Sequence, residues 1–224
     1  MKKRAIAFLA RFEQEFGMAV IIDDEDFNAG KLGLGTLGQV LLHLQRNNRL
    51  VIRLLIDGES PDPRQMDSLR STGLSDHVIY VETVDARQTA LDSISLAQQR
   101  VAQADGFKDE AAELLRQNQW AAAMQKLSEC LARWREAQQT ILAVSKYFSL
   151  NLERITVKGE ALSISLHQFA VRLRDIQTAL QAEDAVGLTD LLAYETAECG
   201  EWWSGALEAV RVMIGTSLPV QSAA

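Results

Sequence analysis

The sequence predicts a predominantly helical α+β protein: a small N-terminal α+β domain followed by an antiparallel four-helix bundle. Three observations lead there. The texture of the chain changes near residue 85, before which apolar residues come in short runs bounded by Gly, Pro, Asn and Asp, and two of the three prolines, Pro61 and Pro63, fall there. Beyond it run long stretches rich in Ala, Leu, Gln, Glu and Arg, with apolar residues three and four apart, the spacing that gives a helix one buried face. The composition, 224 residues with 47% hydrophobic and 24% charged, suits one large domain or two small ones. The expected organisation is a helical leader over 1–17, the small domain over 18–84, the bundle over 85–215 and a disordered tail over 216–224.

The leader begins with Lys2, Lys3 and Arg4, followed by the apolar run Ala5 to Ala10, which Arg11 ends. That run is shorter than the roughly 7–15 residues of an export signal core. Ile6, Leu9, Phe12 and Phe16 recur at helical spacing, which predicts a short amphipathic helix, docked on the body or left as a loose leader.

In the small domain, Met18 to Asp23 reads as a strand, and Asp24 to Leu34 as a polar connection with room for a second, short strand. Thr36 to Asn47 reads as a helix: Thr36 with Gln39 three residues on makes a capping box, and Leu37, Val40, Leu41 and Leu44 form the buried stripe. Leu50 to Asp57 reads as the strongest strand, and His77 to Val84 as a strand with β-branched and aromatic residues. Two topologies fit these elements, an all-parallel βαβαβ sheet and strand–strand–helix–strand–strand. The second resembles a ubiquitin-like β-grasp. It is preferred because a three-stranded parallel sheet of this size leaves one face uncovered.

Four helices are expected beyond residue 85. The first runs over about 85–117, with Leu91, Ile94, Val101, Ala104, Ala111 and Leu115 inward. The second, over 120–148, carries Trp120, Met124, Leu127, Leu131, Trp134, Ile141 and Phe148 on a heptad seam interrupted by Gln138 and Ser145. The third, over 160–182, steps through Leu162, Leu166, Phe169, Leu173, Ile176 and Leu180. The fourth, over 188–214, turns Leu188, Leu191, Leu192, Cys199, Trp202, Ala206, Val210 and Met213 inward. An up-down bundle buries such stripes most simply.

Several chemistries are disfavoured. A net charge of −7 argues against nucleic acid or an anionic membrane as partner, and no window reaches the roughly 18 apolar residues of a membrane span. Cys130 and Cys199 lie in no CxxC pattern and read as reduced core thiols, so the expected setting is cytoplasmic. His43, His77 and His167 make neither E-x-x-H nor H-E-x-x-H, and no metal or other cofactor is expected. Gly33, Gly35 and Gly38 match GxGxxG, with Asp57 further along. The strand that aims a dinucleotide fingerprint at its pyrophosphate is missing before them.

The reading of function is therefore a non-enzymatic protein–protein interaction protein, an adaptor, chaperone or assembly factor, whose partner is another protein or a second copy of itself. Long helices in an acidic chain resemble, in general layout, accessory chaperones of bacterial secretion and motility. Trp202 and Trp203 are the partner-binding candidates, because adjacent helical residues cannot both face one core and tryptophan is enriched at binding hot spots. The alternative is a small-ligand or nucleotide-binding enzyme with its site between the two domains. Its residues would be Gly33, Gly35, Asp57 and Glu195, the last expected to be partly buried against Arg172 or Arg174.

Overall fold

A computed structural model of the chain describes residues 19–75 and 77–216; the leader, with the amphipathic helix expected there, and the tail lie outside the described residues. The fold is predominantly helical α+β, in two compact units, one running to Thr89 and the other from Ala90 onward. No helix among the described residues is long and apolar enough to cross a membrane.

In the first unit β1 (Ala19–Ile22) and β2 (Glu25–Asp26) form a hairpin. Helix α1 (Leu37–Arg46) follows, then β3 (Arg49–Ile56) and β4 (Val78–Asp85). The sheet order is β2-β1-β4-β3, with β1 parallel to β4 and β3 antiparallel to it. That antiparallel pairing removes the all-parallel alternative. The second strand lay hidden in the acidic run, whose charged residues carry no strand pattern. Asp23 and Asp24 make the two-residue turn, with φ of 53° and 67°, a left-handed pair that aspartate tolerates better than most residues. The Asp23 carboxylate is held there by the Thr83 N–H (2.7 Å), the Thr83 hydroxyl (2.8 Å) and the Arg49 guanidinium (2.6 Å).

One sheet face packs on α1. Val20, Ile79 and Val81 meet Leu37, Val40 and Leu44, with Ala29 and Leu74 closing the edges. The expected capping box starts α1: the Thr36 hydroxyl accepts from the Gln39 N–H at 3.3 Å, and the Gln39 side chain accepts from the Thr36 N–H at 3.2 Å. Because strand side chains alternate, Ile21, Leu55 and Tyr80 fall on the other face, where they form a cluster of their own.

The second unit is built on α2 (Ala86–Arg116), α3 (Trp120–Tyr147), α4 (Leu162–Gln181) and α6 (Cys199–Thr216). Left-handed residues close three connections: Asn118 after α2, Ser149 after α3 and Glu183 after α4. The hairpin β5 (Thr156–Val157) and β6 (Glu160–Ala161) precedes α4, so that helix starts at Leu162, two residues later than expected. The expected fourth helix is broken. A short α5 (Ala185–Asp190) runs into a π-helical turn, Leu191–Glu195, and α6 begins only at Cys199.

The inward faces also differ from those expected. On α3 the buried apolar positions are Ala123, Leu127, Cys130, Trp134, Ala137, Ile141 and Val144, an unbroken alternation of steps of four and three, with Ser145 buried beside them. Small residues hold alternate places on that seam, so helices approach closely there. Met124 and Leu131, expected inside, are displaced to the flank and only partly buried. On α4 the deeply buried residues are Leu162, Ser165, Phe169, Ile176 and Ala179, and Leu166, Leu173 and Leu180 are displaced likewise.

Candidate functional site

All of the displaced residues but Leu166 line a groove. Met124, Leu127 and Leu131 of α3 face Leu173, Ile176 and Leu180 of α4 across an open cavity of about 530 Å³. Ser128, Arg135, Gln138 and Gln177 edge it. The origin is local: each helix carries two adjacent apolar stripes, one filling the core of the second unit and the other left over. Along α3 the lining runs from Met124 to Gln138, about 21 Å at the helical rise of 1.5 Å per residue. Among the described residues Arg135 has no ion-pair or hydrogen-bond partner, which leaves one unpaired cation on an otherwise neutral rim.

A smaller cavity, about 250 Å³, opens at the start of α6 beside the β5–β6 hairpin. Phe169, Trp202, Cys199 and Val157 form its apolar wall, with Arg172, Lys158, Glu160 and Glu198 around it. Lys158 is committed to Glu201 at 3.1 Å and to Glu198 at 3.7 Å. Behind this wall is an aromatic knot centred on Phe169. Trp134 meets it edge-on at 5.4 Å, Trp203 edge-on at 4.9 Å, and Trp202 stacks on it at 6.1 Å.

The two candidate tryptophans therefore differ. Trp203 is fully buried and cannot present its ring to a partner, which corrects the expectation for that residue. Trp202 is partly exposed at the smaller cavity and leans on α4 of its own unit. Trp203 takes the inward place because the π-helical turn holds one residue more than an α-helical turn would, which advances the face that follows. The same advance corrects Glu195. Thr196 is 1% exposed and bonds back to the Leu192 carbonyl, while Glu195 faces outward. Neither Arg172 nor Arg174 pairs with Glu195 among the described residues.

Gly33, Gly35 and Asp57 are accounted for by the fold around them. A phosphate-binding loop needs free backbone N–H groups. Here the Gly33 N–H donates to the Gly30 carbonyl at 3.1 Å, and that of Gly38 to the Arg70 carbonyl at 2.8 Å. The Gly35 N–H donates to the Gln39 side chain at 2.6 Å. A short 3₁₀ turn, Gly30–Leu32, precedes them in place of a strand. Asp57 ties the end of β3 to the start of β4, accepting from the Val78 N–H at 2.8 Å and from His77 Nδ1 at 2.7 Å. Partial burial pushes its carboxyl upward, but the bonds from His77 and Val78 outweigh this and hold it below the usual carboxylate range. Glu195 belongs to the second unit and these three to the first.

One buried polar group was not anticipated. Lys108 of α2 is 5% exposed, with Asp105 at 3.8 Å and Asp109 at 3.6 Å. Burial pushes the Asp105 carboxyl upward against the pull of Lys108. A Cβ on Gly200 would land on the Asp105 carboxylate, so glycine there admits α2 against the start of α6. Cys130 and Cys199 are free and buried. Burial pushes the Cys199 thiol up to about 11 and that of Cys130 higher still, which opposes the thiolate that nucleophilic chemistry needs.

Compared with protein-family models, with curated proteins and with solved structures, the chain gives no match.

Proposed function

We propose that the chain is a non-enzymatic protein-binding protein of the cytoplasm, an adaptor, chaperone or assembly factor, that takes an amphipathic helix of another protein into the groove between α3 and α4. The second unit is read as an antiparallel four-helix bundle, and the first as a β-grasp-like head, for which the sheet order and the parallel β1–β4 pair speak. The observation that carries the proposal is the second apolar stripe. Two helices set Met124 and Leu131 opposite Leu173 and Leu180 with no described side chain filling the space between, and apolar surface of this shape gains free energy when a partner covers it. The groove, about 21 Å long, is roughly four helical turns, along which an incoming helix would set apolar residues at i, i+3 or i+4, i+7 and i+11. The unpaired Arg135 selects a helix with a carboxylate beside its apolar face.

The test is quantitative affinity enrichment from the native lysate with three proteins: the wild type, the double variant Leu131→Gln/Leu173→Gln, and Val212→Gln as an exposed apolar control on α6. The expected result is one protein near equal stoichiometry, lost with the double variant and kept with the control. Equal recovery by all three, or no enriched protein, contradicts the proposal. Circular dichroism of the double variant checks that the helices remain.

A further inference from the structure

β3 is an outer strand of the first unit's sheet. It pairs with β4 along one edge, and among the described residues no strand lies along the other. A strand so placed presents a row of backbone N–H and C=O groups that another strand can take up. β2, on the opposite side, is two acidic residues long, whereas β3 runs for eight residues, six of them Leu, Val or Ile. Its two arginines do not guard the edge: Arg49 reaches to Asp23 at 2.6 Å and Arg53 to Glu82 at 3.1 Å. Only the end is taken, where Ile56 exchanges backbone hydrogen bonds with Glu59. Pro61, two residues on, has no N–H with which to continue that pairing. A bulge between Val51 and Arg53 leaves Ile52 out of the register with β4, and its side chain is 58% exposed.

We propose that this edge receives the same edge of a second copy of the chain, β3 against β3, antiparallel about a two-fold axis at Ile52, so that the two four-stranded sheets become continuous. Charge selects both the occupant and the register. Exposed Arg46 stands just before the strand and exposed Glu59 just after it, and among the described residues neither side chain has an ion-pair or hydrogen-bond partner. An antiparallel copy brings its Arg46 end to the Glu59 end of the first. The same contact recurs at the other end, because a two-fold interface repeats every contact. Counted along the strand, an axis at Ile52 sets Arg49 opposite Leu55 of the second copy and Arg53 opposite Val51. Moving the axis to Val51 would set Arg49 against Arg53, and moving it to Arg53 would set that residue against itself. Like charges directly opposite are destabilising. At the axis the two exposed Ile52 side chains meet and leave water. This inference is independent of the groove between α3 and α4.

The test is sedimentation velocity of the full chain over a roughly hundredfold range of concentration in the micromolar region. The variants are Ile52→Lys, Arg46→Glu and the reciprocal pair Arg46→Glu/Glu59→Arg. The expected result is a reversible dimer whose dissociation constant rises about tenfold or more in Ile52→Lys, where two ammonium groups replace an apolar contact across the axis. It rises less in Arg46→Glu and returns towards the wild-type value in the reciprocal pair. A monomer throughout the range overturns the proposal, and this is also the outcome if the edge serves only a strand of another protein. A dimer that Ile52→Lys leaves unchanged overturns it too, because the contact then lies elsewhere on the chain. In the unaltered chain, a sample mixing isotope-labelled and unlabelled protein is expected to show nuclear Overhauser contacts between the Ile52 methyls of the two copies, and their absence overturns the proposal even if the variants misfold.

Discussion

Replacing the three glycines of the GxGxxG run one at a time separates a backbone-packing role from a phosphate-binding one. At Gly38 a Cβ would stand 2.8 Å from the Arg70 carbonyl oxygen, a backbone atom that the Gly38 N–H also binds at 2.8 Å. Alanine gains up to about 1 kcal/mol over glycine in a helix, but overpacking against fixed atoms costs typically about 1–3 kcal/mol. Gly38→Ala is therefore expected to destabilise the head by about 1–2 kcal/mol. At Gly33 the space is open but φ is +68°, so alanine costs about 1–2 kcal/mol through its left-handed backbone. At Gly35 the new methyl would meet only the Gln39 side chain, at 3.8 Å. Gly35→Ala is expected to be neutral, or stabilising by about 0.4–1 kcal/mol through the unfolded chain. All four tryptophans, Trp120, Trp134, Trp202 and Trp203, lie in the helical unit, so indole fluorescence does not report the head. The assay is hydrogen exchange of the α1 and β4 amides, where about 1.4 kcal/mol corresponds to tenfold. Gly38→Ala as stable as the wild type, or Gly35→Ala the most damaging of the three, refutes the reasoning. Slowing of this exchange by an added dinucleotide would refute it too.

Other outcomes follow from the same geometry. Trp203→Ala removes a fully buried ring and is expected to cost about 3–5 kcal/mol, against about 1–2 kcal/mol for the partly exposed Trp202; urea unfolding followed by the remaining indoles ranks them, and a reversed order contradicts the assigned register. Asp57 is held below its ordinary value in the folded state, so its contribution is complete above the usual carboxylate range near pH 4 and is lost as pH falls through the lowered value. Asp57→Asn is therefore expected to flatten the acid limb of head stability, measured by β4 exchange between about pH 5 and 2, and an unchanged limb counts against the His77–Asp57 tie. Both thiols are expected to react slowly with a disulfide reagent at pH 8, Cys199 ahead of Cys130 because it borders a cavity, and prompt reaction of Cys130 in the folded protein contradicts its burial.

The sequence and the structure agree where the signal is short-range and chemical. Thr36 and Gln39 announce their own capping box because both partners lie within one turn. β2 is foreseen only as room for a short strand between Asp24 and Leu34, without a position, because hydrogen bonding to β1, and not its own acidic side chains, makes it a strand. The seam of α3 is misread for a different reason. Hydrophobic size draws attention to Met124 and Leu131, whereas close helix packing selects Ala123, Cys130 and Ala137, whose value lies in letting another helix approach. That same misreading hid the groove, because a residue assigned to the core cannot also be assigned to an open surface. The break between α5 and α6 carries no proline, and its π-helical turn moves Glu195 out and Trp203 in. A regular 3.6-residue period extrapolated across it puts both on the wrong face.

The central claim is that the groove between α3 and α4 receives a helix of another protein. Its most direct test is site-specific photo-crosslinking in native cells, with a benzoylphenylalanine at position 131 or 173 and, for comparison, at 212. The account predicts one crosslinked protein common to positions 131 and 173 and absent from 212, attached through the apolar face of a helix that carries a carboxylate within reach of Arg135. No adduct at 131 and 173, or the same adducts at all three positions, would contradict it.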